Sequence, residues 1–267
     1  VHAPMRYVWD MHDAYFGRET SRIVKVGISW CRRYLQNWDI ESARRVDSFV
    51  ANSRNIAAKI ETLYGRKAIV IYPPVNVQSF SISHFTDPYY LIVSALVPYK
   101  GIGLAIDAFN RLGLKLKIAG DGPLRKSFER ASARNVEFLG WVDDQTLADL
   151  YRRCQALIFP GEEDFGIVPL EAQASGRPVI AYGKGGALET VVPWMDGAED
   201  PPRASPTGIF FSELTSESLI QAVQTFQRVA HRFQPGVLRA HATKFSRERF
   251  KSEIKEHIDD CLASRDR

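Results

Sequence analysis

The sequence predicts an α/β protein built on a parallel sheet, and three observations support that expectation. Short β-branched or aromatic runs alternate with amphipathic stretches from about residue 47 onward, the pattern of repeated strand-helix units. Glycine and proline punctuate the places where helices should start and stop, with Pro123 and Pro169 in first turns and Gly65, Gly113 and Gly176 just past ends. The longest nearly apolar run, Tyr89 to Val97, is far too short to cross a bilayer and reads as a buried strand.

Strands are expected at Ser48 to Ala51, Ala68 to Tyr72, Tyr89 to Ser94, Lys115 to Ala119, Val136 to Phe138, Ala156 to Phe159, Pro178 to Ala181 and Gly208 to Phe211. Between them, apolar residues recur at spacings of three and four and predict helices. These run over Asn55 to Tyr64, Gly103 to Arg111, Pro123 to Ala133, Gln145 to Arg153, Val168 to Ala174, Ala187 to Val192 and Glu217 to Arg228.

At 267 residues the chain can hold two ordinary domains, and 45% hydrophobic with 25% charged composition belongs to the globular class. Tyr72 to Pro88 is rich in Pro, Ser and Asn, lacks periodicity and reads as an interdomain linker. The expected division is 1–75, the remnant of one domain, 76–245, a complete α/β domain, and 246–267, a helix packing across the domain junction. Only two good strands precede the linker, too few for an open parallel sheet covered on both faces. With Val1 first and neither initiator methionine nor signal peptide, the chain is expected to be cut from a longer one.

Lys plus Arg total 35 against 31 for Asp plus Glu, and no basic block is dense enough to argue for nucleic acid. Cys31, Cys154 and Cys261 are odd in number and far apart, which fits reduced core thiols and neither a disulfide framework nor a zinc site. That usage favours the cytoplasm.

The stretch EEDFGIVPLEAQASG, residues 162–176, holds Glu163 and Glu171 eight positions apart. Its loop, residues 161–166, follows a strand and precedes a helix, so it is expected at the carboxyl end of a parallel strand, where open sheets bind ligands. Glu163 is expected on the loop and Glu171 in the first helical turn, beside amide groups that favour its charge and ligand phosphates. A carboxylate accepts without donating, which suits the paired hydroxyls of a ribose or hexose. On spacing alone, caps or solvated charges are the commoner reading of two such acids. The surrounding residues tip the balance toward a clamp for a sugar nucleotide.

EEDFGIVPLEAQASGRPVIA resembles the E-x7-E region of the retaining glycosyltransferases of family 4. Further stretches match in the family's order. LIVSALVPYKGIGLAIDAF resembles the segment with the phosphate-binding lysine, IAGDGPL the next strand and glycine turn, FLGWVDDQTLADLYRRC the base region, and YGKGGALETV the glycine loop after the acids. VHAPMRYVWD resembles a segment late in the N-terminal domain of bacterial mannosyltransferases of polysaccharide and O-antigen biosynthesis.

The resemblance implies a GT-B architecture: two Rossmann-like domains, the C-terminal one binding a nucleotide-sugar donor. It implies that Lys100 neutralises donor phosphate, although Ala95 and Leu96 stand where many relatives have an arginine. Glu171 is expected to hold the ribose, Glu163 and the backbone of Phe165, Gly166 and Ile167 to face the transferred sugar, Val168 to belong to the donor site with them, and Gly140, Trp141 and Val142 to flank the base. His2 maps onto a histidine near the donor sugar and acceptor, with Arg6 as a companion.

Neither glycine stretch, at Gly120 or at Gly183, completes a G-x-G-x-x-G fingerprint, and no cluster has metal-ligand spacing, so neither a cofactor nor a metal is expected. The resemblance implies retaining transfer of a hexose, with mannose from GDP-mannose as the leading donor, to a hydroxyl of a saccharide or lipid-linked acceptor. Cytoplasmic placement, with peripheral contact at the inner membrane face, accompanies that expectation. The alternative is a nucleotide-sugar-binding module without transfer activity; an epimerase or phosphorylase lacks a matching cofactor-lysine signature.

Overall fold

A computed structural model of the chain describes residues 4, 8–9, 22–195 and 205–265. The chain divides into two compact units, Val1–Tyr72 with Glu253–Arg267, and Pro73–Ser252.

The first unit contains α1 (Arg22–Ala43), β1 (Phe49–Ala51), α2 (Arg54–Tyr64) and β2 (Ala68–Val70). β1 and β2 pair in parallel, Phe49 opposite Ala68. Ser53 caps α2 by accepting from the Ile56 amide at 3.1 Å, and Gly65 ends it with φ +63°. Ile56 and Ile60, one turn apart on α2, close over Phe49 and Ala51.

The second unit contains β3 (Tyr90–Val93), α3 (Ile102–Leu112), β4 (Leu116–Ala119), α4 (Arg125–Ala131), β5 (Val136–Gly140), α5 (Asp144–Arg153), β6 (Leu157–Phe159), α6 (Ile167–Ala174), β7 (Val179–Tyr182), α7 (Ala187–Thr190), β8 (Gly208–Phe211), α8 (Ser216–Val229) and α9 (Pro235–Thr243). The last helix, α10 (Arg247–Arg265), falls partly in each unit. The six strands form one sheet in the order β5-β4-β3-β6-β7-β8, and every pairing is parallel.

Strand residues alternate between two cores because successive side chains point to opposite faces. Tyr90, Ile92, Ile158, Ile180 and Tyr182 enter a core with Ile106 and Phe109 of α3 and Leu219 and Phe226 of α8. Leu91, Leu157, Phe159, Val179 and Ala181 enter the other, with Leu150 and Tyr151 of α5 and Ala172 of α6. Helices on both faces leave strands that read as continuous apolar runs.

The architecture is α/β on a parallel sheet, as the alternation predicts, and most ends shift by one or two residues. Pro123 lies in the turn before α4, which starts at Arg125. Two helices, α1 and α9, escape the sequence reading. In α1 the aromatics Tyr34 and Trp38 stand exposed, which blurs the one-sided apolar stripe that periodicity detects. α9 hides a two-point anchor, buried Leu238 and Ala242, among basic residues that read as a solvated surface. The expectation of three core thiols is also corrected: Cys154 alone is buried, Cys31 is exposed and Cys261 half-buried. Burial pushes the Cys154 thiol up to about 12, so it stays protonated and inert. Among the described residues, no helix is long and apolar enough to cross a membrane.

Candidate functional site

After β5, at one edge of the sheet, the chain returns to lay β6 beside β3, so the strand order reverses between β3 and β6. Open parallel sheets bind ligands at the carboxyl ends of the strands at such a reversal. Here the loop after β3 carries Lys100 and the loop after β6 carries Glu163. The loops approach closely enough that only glycine fits: a side chain on Gly101 would stand 2.7 Å from the Pro160 carbonyl, and one on Gly161 would stand 2.9 Å from the Lys100 Cα.

Lys100 Nζ and Glu163 Oε1 form a direct ion pair, with side chains only 20% and 17% exposed. The glycine loop after β7 braces the acid loop from its other side. Gly186 donates to the Glu163 carbonyl at 2.7 Å, and any side chain there would collide with the Phe165 backbone.

The helices that start beside this reversal share a feature. α3 follows Gly101 (φ +69°) and α6 follows Gly166 (φ +99°), and neither has a side-chain cap. Ser53, Asp143 and Thr215 cap α2, α5 and α8, whereas α4, α7 and α9 also begin without a side-chain cap. Uncapped first-turn amides are free for another acceptor, and the helix dipole favours an anion there.

Glu171 needs a correction. It is the fifth residue of α6, one turn beyond the first, because the helix begins at Ile167 and Pro169 takes its third position. Its carboxylate is half-buried on the α5 side, where Tyr151 donates its hydroxyl to Oε2 at 2.8 Å. Burial holds the Glu171 carboxyl above the usual carboxylate range; the Tyr151 hydrogen bond opposes that shift and the charge of Asp144 adds to it. Burial, then Glu171, holds Tyr151 well above its ordinary value, so its hydroxyl stays a neutral donor.

Gly140 ends β5 and accepts from the Gly120 amide at 2.7 Å; Trp141 follows it at 81% exposure, and Val142 packs on the second core. Phe165 turns inward against Phe245 at 5.9 Å, Ile167 is exposed, and Val168 packs on the core below. The carboxyl edge thus brings together Lys100, Glu163 and the α3 and α6 starts, with residues 140–142 at the end of the outermost strand, while Glu171 lies one turn into α6 against Tyr151. His2 and Arg6 lie outside the described residues. Sequence reading missed Tyr151, which looks like a core aromatic, and the pairing of Lys100 with Glu163.

A cleft of about 500 Å³ lies at the opposite edge, lined by Tyr90, Gln155, Arg177, Phe226 and Phe233 among others. Its polar centre is already used: Arg177 donates to the carbonyls of Ser83, Phe85 and Arg152. Among the described residues, no three His, Cys, Asp or Glu side chains are placed to hold a metal ion.

The sequence profile described as "Glycosyl transferases group 1" matches residues 76–226, more than half of the chain. The chain belongs to this family. It is 33% identical over 156 residues to an uncharacterized glycosyltransferase of Methanocaldococcus jannaschii, covering 57% of this chain and 44% of that protein. It is 32% identical over 156 residues to the O-antigen chain mannosyltransferase C of Escherichia coli, covering 51% and 42%. This group 1 chain thus spans less than half the length of those relatives. Among solved structures it resembles Anabaena HepE in complex with UDP-glucose, with a TM-score of 0.71, 21% identity, and coverage of 84% of this chain and 67% of that one. The fold is that of GT-B glycosyltransferases.

Proposed function

We propose that the chain is the donor-binding portion of a retaining family 4 hexosyltransferase that moves mannose from GDP-mannose to a hydroxyl on a saccharide or lipid-linked acceptor. One observation carries this reading: Lys100 meets Glu163 at the strand-order reversal, beside two helix starts that no side chain caps. A lysine and two sets of free amides suit a diphosphate, and acids on the same edge suit sugar hydroxyls. The likeness to an O-antigen mannosyltransferase supports mannose, and the likeness to a protein holding UDP-glucose supports a nucleotide sugar.

The acceptor oxygen attacks the anomeric carbon from the side on which the diphosphate departs. As the new C–O bond forms, the bond to the diphosphate oxygen breaks, and that leaving phosphate takes the acceptor's proton. The sugar passes through an oxocarbenium-like state. Lys100 leaves Glu163 for the phosphate as negative charge builds, and the α3 and α6 amides add to that stabilisation without a metal. Glu163 then positions the sugar and forms no covalent bond to it. Glu171 holds the ribose, residues 140–142 flank the base, and His2 lies near the transferred sugar and acceptor. A cytoplasmic site with peripheral membrane contact fits a lipid-linked acceptor.

A second reading is a nucleotide-sugar-binding module without transfer. Calorimetry with GDP and with UDP, followed by product detection with the whole encoded protein and GDP-mannose, separates the two. Saturable binding with acceptor-dependent transfer supports the transferase, binding without turnover supports the module, and binding of neither nucleotide overturns both.

A further inference from the structure

We propose that Tyr151 is the positioning residue for Glu171, holding one carboxylate oxygen so that the other is presented to a ligand diol at the carboxyl edge. This inference rests on the donor-site reading above. Tyr151 sits on α5, fully buried, and donates to Glu171 Oε2 across the α5–α6 interface at 2.8 Å. A carboxylate has two acceptor oxygens, so with one held by Tyr151 the other keeps its lone pairs for ligand hydroxyls, whose placement tolerates little rotation of the acid. A half-buried glutamate on a free stem would sample several rotamers. With Oε2 anchored, the position of one end of the carboxylate is set by the fold. The anchor cannot invert its role, because a phenol that stays protonated can only donate to the carboxylate.

The bond also favours the ionised form of the acid it holds. Asp144 on α5 works against that ionisation. On α9, packed against α6, Arg239 is taken up by the Ala174 carbonyl and the His241 ring lies against Phe245. On α7, also in contact with α6, the charged group is Glu189. Tyr151 is thus the group whose hydrogen bond to Glu171 opposes the burial and the Asp144 charge.

The test is a double-mutant cycle on the intact chain, with GDP and UDP binding followed by calorimetry. Tyr151→Phe removes one oxygen and is expected to weaken binding of the preferred nucleotide roughly tenfold, the worth of a hydrogen bond to a charged group. In the Glu171→Gln background the same change is expected to cost almost nothing. The acid limb of the binding profile, followed from about pH 5 upward, should also move to higher pH in Tyr151→Phe, because the carboxylate loses a stabilising donor. Equal losses in both backgrounds, or an unmoved limb, overturn the inference while leaving the donor site intact. If the wild-type chain binds neither nucleotide, the donor-site reading fails instead. Should Tyr151→Phe not fold, Glu171→Asp keeps the charge one methylene short of the phenol. It is expected to bind nearly as weakly as Glu171→Gln, and wild-type affinity there overturns the proposal.

Discussion

Glu163 and Glu171 are the same residue type on neighbouring segments and both are partly buried, yet their partners differ in charge. Glu163, on the loop, is compensated by a full cation, Lys100, reached from the far side of the strand-order reversal. Glu171, on the helix, has only the neutral phenol of Tyr151, and burial raises its proton affinity. The difference teaches how one pair of carboxylates can serve two roles. The loop acid holds an ion-pair partner that a ligand phosphate can compete for. The helical acid is held by an uncharged donor, and in the proposed reading its other oxygen meets the ligand.

Five variants break or sharpen that contrast. The largest effect is expected from Glu163→Gln: transfer from GDP-mannose should fall at least about 100-fold, the scale for losing a group that acts on the transition state. GDP affinity in the same variant should hold or rise, because Lys100 is released for phosphate; near-normal turnover refutes the role. Lys100→Ala should weaken GDP binding roughly tenfold and guanosine binding hardly at all, measured side by side by calorimetry.

The glycines of the loops come next, read by thermal melting. Gly186→Ala drives a methyl into the Phe165 backbone and should cost up to about 3 kcal/mol with loss of nucleotide binding. Gly113→Ala, at φ +68° in open space far from the site, should cost only about 1 kcal/mol and leave binding untouched.

The smallest effect concerns pH. Folding raises the proton affinity of Glu171, so the folded chain keeps that proton to higher pH than the unfolded chain does. Stability from this group is present below the ordinary carboxylate range and is lost as pH rises through the raised value. Glu171→Gln removes that loss. It should melt slightly above the wild type near pH 7, with the gap closing in acid; a lower melting point at neutral pH contradicts the assignment.

The sheet was legible because its strands, covered on both faces, are short apolar runs set between helical periods. Strand order was not, since nothing in a run such as Ala156 to Phe159 says that it returns to pair beside Tyr90 to Val93. For the same reason the Lys100–Glu163 pair, with partners 63 positions apart, needed coordinates. Glu163 on its loop was readable from the Phe-Gly turn and the helix that follows. The turn in which Glu171 falls was misjudged because Pro169 suggested a first position and took the third. Tyr151 gave no signal, because an aromatic on the apolar face of a helix reads as packing, and its hydroxyl partner belongs to another helix. Composition and periodicity alone made no assignment of residues 140–142 to a base, which came from the family's motif order.

The most direct test is a diffraction structure of this chain with GDP. The account predicts the diphosphate beside Lys100 and the α6 start, with the ribose hydroxyls on Glu171 and the Lys100–Glu163 pair opened. A nucleotide seated at the other edge of the sheet, in the cleft beside Arg177, with Lys100 still on Glu163, would contradict it.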